Sequence, residues 1–180
     1  MKRKTVWIGI VMLGALLAAT GLASRADGLT LSEGLQQTMT VVDTTAAAAA
    51  SDRPVHPEAD NADLSQASQL RNNHSFSDHS NSHLFPGYND CDSWENIVND
   101  GWSASYGVTM PVRSEEDGQG LMQEVERLWK NQGYEVNVQI SGDSSTRLWF
   151  DTAYARFQFD VDWNKSGASV RGTTVCLPPR

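Results

Sequence analysis

From Tyr134 onward, apolar side chains recur at every second position, and that period constrains the chain to a β-sheet with one buried face. Tyr134, Val136, Val138 and Ile140 alternate with Glu135, Asn137 and Gln139. Ala155, Phe157, Phe159, Val161 and Trp163 alternate with Arg156, Gln158, Asp160 and Asp162, the strongest such run in the chain. Residues 147–152 and 168–177 supply two more strands. The turns at 141–144 and 164–167 are short, and short connections between successive strands force antiparallel pairing. Before this region the period is helical. Leu121, Met122, Val125, Leu128 and Trp129 share one helix face, and Glu124, Glu126, Arg127 and Lys130 take the other. Ser114 or Asp117 serves as N-cap, and Gly133 stands where a helix end favours a left-handed residue. A shorter helix is expected through Trp94, Ile97 and Val98, and a short extended segment over 106–112. The expected fold class is α+β: helices packed on one face of a four-stranded antiparallel meander, over residues 85–180.

The aromatic residues follow the same division. Five of the six Trp lie between Trp94 and Trp163, and all four Tyr lie at Tyr88 or beyond. Aromatic rings bury large apolar areas, so this is where a core can form. Cys91 and Cys176, the only two cysteines, bracket that region. In an exported protein the even count points to a disulfide; two separate buried thiols are the alternative. No CxxC pair exists and neither Cys has a His nearby, so no metal centre and no cofactor is expected.

The N-terminal segment reads as an address. Lys2, Arg3 and Lys4 precede an uncharged run over 5–24, and small residues at Gly21 and Ala23, or Ser24 and Ala26, suit cleavage. Residues 1–26 are therefore a signal peptide or a retained signal anchor, a hydrophobic helix that would be the chain's only membrane contact. The first Cys is Cys91, which excludes lipid attachment at that end. Residues 27–84 read as an acidic, low-complexity, flexible linker. A short helix over 29–42 and the alanines at 46–50 fall inside it, and Pro54 and Pro57 interrupt it.

With 14 Lys and Arg against 22 Asp and Glu, the formal charge is −8, which argues against nucleic acid as a partner. No nucleotide-binding or zinc-protease motif occurs. His74, His79 and His83 lie in a Ser- and Asn-rich tract that reads as solvated chain. Asp160, Asp162, Asn164 and Ser166 alternate like the start of a calcium loop, but Lys165 and Arg171 stand where Gly and Glu are needed. The run 101–105 comes within one residue of a nucleophile elbow, without a His to serve it. Glu135, Asp151, Asp160 and Asp162 are the acids from which a glycosidase pair would be drawn. Trp149, opposite Leu148 and Phe150 in its strand, is the candidate exposed aromatic contact.

The helix LMQEVERLWKNQGYEV, the strands after it and the closing GTTVCLPP resemble small exported proteins of actinobacteria, many assigned as lipoproteins, of unknown function (LppA-like). The matching positions are Gly133, Tyr134, Thr174 and Cys176, with Cys91 as the partner cysteine, over about residues 88–178. The lipobox Cys of that pattern is missing. The resemblance implies a surface-exposed envelope protein and no catalytic residues. The expected function is that of an exported cell-envelope protein, secreted or membrane-anchored, with a binding or interaction domain for a cell-wall component or another envelope protein. The alternatives are an envelope hydrolase acting on glycan or peptidoglycan through paired carboxylates, and an accessory subunit of a membrane complex.

Overall fold

The computed structural model describes residues 28–50, 52–70, 86–91, 101–141 and 145–178. The leader, the three-histidine tract and the helix expected around Trp94 lie outside these residues. Among the described residues no helix is long and apolar enough to cross a membrane.

The elements run α1 (Leu31–Ala49), β1 (His56–Pro57), a 3₁₀ helix (Leu64–Gln69), β2 (Tyr88–Asp90), β3 (Trp102–Pro111), α2 (Glu115–Asn131), β4 (Asn137–Ser141), β5 (Ser145–Asp151), β6 (Ala155–Asp162) and β7 (Gly167–Thr174). The α+β class and the antiparallel meander β4-β5-β6-β7 are present. The count of four strands is not. β3 pairs along β7 from Ser105↔Thr173 to Pro111↔Gly167, and β1 and β2 share the outer edge of β3, making a seven-stranded sheet. β3 has the same period of two: Trp102, Ala104, Tyr106, Val108 and Met110 take one side, and Ser103, Ser105, Gly107 and Thr109 the other. Pro111 stands at its last position, where a missing N–H interrupts no central ladder.

The short helix expected over 29–42 is present as α1, longer than expected and packed into the core instead of lying in a flexible linker. Its start is a capping box: the Thr30 hydroxyl accepts from the Glu33 N–H, and the Glu33 carboxylate accepts from the Thr30 N–H. Leu31, Leu35, Thr38, Val42, Thr45, Ala46 and Ala49 form its buried face, so the alanine run is the end of a core helix. α1 lies on β3 and β7. It can come that close because Gly172 of β7 faces Thr38: a Cβ at Gly172 would run into the Thr38 methyl and the Phe157 ring. At the other end, a Cβ on Gly34 would strike Leu177.

The larger core lies between the sheet and the two helices. Phe150, Phe157, Phe159 and Trp129 are fully buried there. Tyr134 stacks on Phe150 at 4.0 Å, Phe150 stacks on Phe157 at 4.9 Å, and Trp129 meets Phe150 edge-on at 4.8 Å. The buried Trp129 indole donates to the Thr45 hydroxyl at 2.9 Å, which itself donates to the Val41 carbonyl at 2.8 Å. The buried Trp129 N–H and Thr45 hydroxyl are thus both satisfied, as burial requires. Trp163 is half-buried against the start of α2 at Gly118.

A smaller core gathers Leu31, Leu35, Ala67, Leu70, Tyr88, Ala104 and Leu177. Residues 56–70 are thus part of the folded body. The Glu58 N–H donates to the Gly107 carbonyl, and the Asn61 amide both donates to and accepts from the Gly107 backbone at 2.8 and 2.7 Å. These contacts occupy an edge of β3 that would otherwise be open to pairing with another chain. Burial pushes the Tyr88 hydroxyl up to about 12, and it donates to the Asp63 carbonyl. The Cys91–Cys176 disulfide, 85 residues apart in sequence, ties the segment just after β2 to the segment that follows β7.

Ser114, not Asp117, caps α2, accepting from the Asp117 N–H at 3.1 Å. Asp117 instead takes two hydrogen bonds from Arg53, each 2.9 Å, and one from the Arg113 N–H. The Arg53 side chain is only 8% exposed. These partners hold the Asp117 carboxyl down at about 2 against an ordinary 3.8, with the Arg53 hydrogen bonds contributing most. A depressed carboxyl stabilises the fold above its unfolded value and loses that contribution as pH falls through its folded value. Asp117→Asn is therefore expected to cost roughly 2 kcal/mol at neutral pH. It should also flatten the acid loss of stability between about pH 4 and about pH 2. Urea midpoints measured across that range for both proteins check this; parallel curves would contradict it.

Candidate functional site

The face of the sheet turned away from the helices carries the chain's most distinctive surface. Leu148 and Phe150 are buried on the helix side, so the intervening Trp149 stands on this outer face, half-buried. The register places it in one cross-strand row: Asn137 of β4, Trp149 of β5, Gln158 of β6, Arg171 of β7 and Gly107 of β3. From Asn137 to Arg171 that row spans about 14 Å at the usual strand spacing. Trp149 is thus flanked by two side-chain amides on adjacent strands.

The arginines of this face are already partnered. Arg156 grips Asp151 with two bonds of 2.7 and 3.0 Å. Arg147 pairs with Asp160, Arg171 with Glu58 reaching over from the β1 side, and Lys165 with Asp162. Among the described residues of strands β5 to β7 and the β1 side, four cations meet four carboxylates, and the exposed Glu135 before β4 adds one further negative charge, on a chain of formal charge −8. The Arg156 hydrogen bonds hold the Asp151 carboxyl below its ordinary value.

The acids singled out in the sequence are not brought together as a catalytic pair. Asp160 sits opposite Arg147, four positions along the strand from Asp151, a separation of roughly 13 Å. Glycosidase carboxylates stand about 5 to 9.5 Å apart. Asp160 and Asp162, alternate residues of β6, are closer, but each holds a cation. A general acid needs apolar surroundings that raise its pKa. Glu135 precedes β4 and is exposed. The run 101–105 enters β3, so Ser103 lies in a strand opposite Asn89 and not on an elbow. In the calcium-like run, the Asp162 carboxylate accepts from the Lys165 N–H at 3.1 Å and closes a turn. Among the described residues no group of three or more His, Cys, Asp or Glu could hold a metal ion.

No family model, no curated protein and no solved structure matches this chain.

One surface feature departs from the alternation read in the sequence. Tyr134 and Val136 reach the core, but Val138 and Ile140 are 51% and 75% exposed. They point to the helix side at the sheet's edge, in register with Leu148 and Thr146. Among the described residues the helices pack mainly on β3, β6 and β7, and the apolar side of β4 is left exposed at Val138 and Ile140.

Proposed function

We propose that this chain is an exported cell-envelope protein whose domain binds a partner through the outer sheet face around Trp149, without catalysing a reaction. The observation that carries the reading is the setting of Trp149. A large aromatic ring stands between two amides on a face where Arg147, Arg156 and Arg171 are each held by a carboxylate. Such a ring contributes contact area at low entropic cost and is the kind of residue that anchors an interface. Export is supported by the basic cluster and uncharged run at the N-terminus and by the Cys91–Cys176 bond, since disulfides persist in oxidising compartments. The resemblance over 88–178 points the same way. The uncovered Val138 and Ile140 favour a second reading, an accessory subunit of a membrane complex docked along β4.

Photo-crosslinking in intact cells separates the two. A crosslinking residue in place of Gln158 is expected to form adducts, and one at the exposed Gln123 on α2 is not. Adducts only from a crosslinker in place of Ile140 would support the second reading and overturn the first.

A further inference from the structure

Resting on the reading that the outer face is the binding surface, we infer that its ligand is a neutral glycan, a chain of uncharged hexopyranose units laid along the row Asn137–Trp149–Gln158. Such a sugar has an apolar C–H face and a rim of hydroxyl or acetamido groups. The ring face needs a flat aromatic partner, and Trp149 supplies it. The rim needs groups that both donate and accept, and a side-chain amide does both. Asn137 and Gln158 stand on the two strands that flank Trp149, in register with it, so the amides and the ring are set out across one row.

The charges argue for neutrality. A polyanion would have to take Arg147, Arg156 or Arg171 from carboxylates that already hold them, in one case with two bonds. A polycation would have to strip the same carboxylates. Either exchange trades one charge-assisted pair for another and gains little. A neutral ligand leaves all of these pairs in place. An apolar protein partner is disfavoured because the row has a single large apolar side chain, too little for the dry centre of a stable interface.

Titration calorimetry on the full chain tests this with cellohexaose and chitohexaose as neutral probes and polygalacturonate and heparin as polyanions. We expect at least one neutral hexamer to bind, with an affinity unchanged between low salt and about 0.5 M NaCl, because no counterions are released. Trp149→Ala should weaken that binding at least about tenfold. Gln158→Leu, which keeps the volume but removes the amide, should weaken it about fivefold and tests the row even if Trp149→Ala does not fold. Near-UV circular dichroism verifies that each variant is folded. The inference is overturned if neither hexamer binds, if only the polyanions bind and salt abolishes it, or if both folded variants bind like the wild type. Adducts from Gln158 to a protein, without glycan binding, would overturn the glycan and leave the face standing. Absence of both would remove the face as well.

Discussion

Phe159→Asp is expected to leave the domain unfolded in water at neutral pH. Phe159 is fully buried in β6, in the layer between sheet and helices. Removing the ring alone costs about 3 to 5 kcal/mol in cores of this kind. An unpaired carboxylate in its place adds several kcal/mol of desolvation. Domains of this size hold only about 5 to 15 kcal/mol in total. The adjacent Gln158 faces outward, so Gln158→Asp should change stability by no more than about 0.5 kcal/mol. Urea unfolding followed by near-UV circular dichroism compares the two. A folded Phe159→Asp beside an unfolded Gln158→Asp would mean that the sheet faces are reversed.

Cys91→Ser carries the second large effect. The bridge closes a loop of 85 residues that contains β3, α2 and the whole meander. In the chain-entropy account a loop of that length stabilises the fold by about 4 to 5 kcal/mol. The oxidised wild type should lose that amount on Cys91→Ser. The wild type under reductant should then unfold at the urea concentration of the variant. Cys176 is exposed, so reductant can reach the bond without prior unfolding. Equal midpoints for oxidised wild type and variant would show that the bridge contributes nothing.

The meander and α2 were legible because their signals are local. Alternation over Ala155–Asp162 and the stripe Leu121, Met122, Val125 and Trp129 each report one buried face within a short window. β3 carries equal alternation, but the small residues Ala104 and Gly107 and two serines mute it, and a Ser-containing motif competes for the same residues. The helix expected over 29–42 is the first part of α1, but its length and burial escaped because, beyond Leu31, Leu35 and Val42, the buried face is built from small and polar residues. Thr38 and Thr45 satisfy their hydroxyls on the helix backbone, and Ala46 and Ala49 need little room. Hydropathy counts none of that as a core stripe, although the capping box at Thr30 and Glu33 was there to be read.

The contacts that make residues 52–62 part of the fold have no local signature at all. Arg53 meets Asp117, Asn61 meets Gly107 and Glu58 meets Arg171 across 46 to 113 positions of sequence. Composition labels such a segment a linker because it lacks large apolar residues. What it does is satisfy one strand edge and one helix N-terminus. For the candidate site, strand parity singled out Trp149, and the register then supplied its neighbours. The neutral pairing around it depends on residues from β5, β6, β7 and the β1 side, which only the sheet order brings together.

The proposed export requires the Cys91–Cys176 pair to be oxidised in a folded body outside the cytoplasm. Alkylating intact cells of the native host before and after reduction, followed by mass spectrometry of the peptides holding Cys91 and Cys176, tests that directly. The prediction is that neither cysteine is labelled until reductant is added, and that the protein is recovered outside the cytosolic fraction. Recovery from the cytosol with both cysteines labelled at the outset would contradict it.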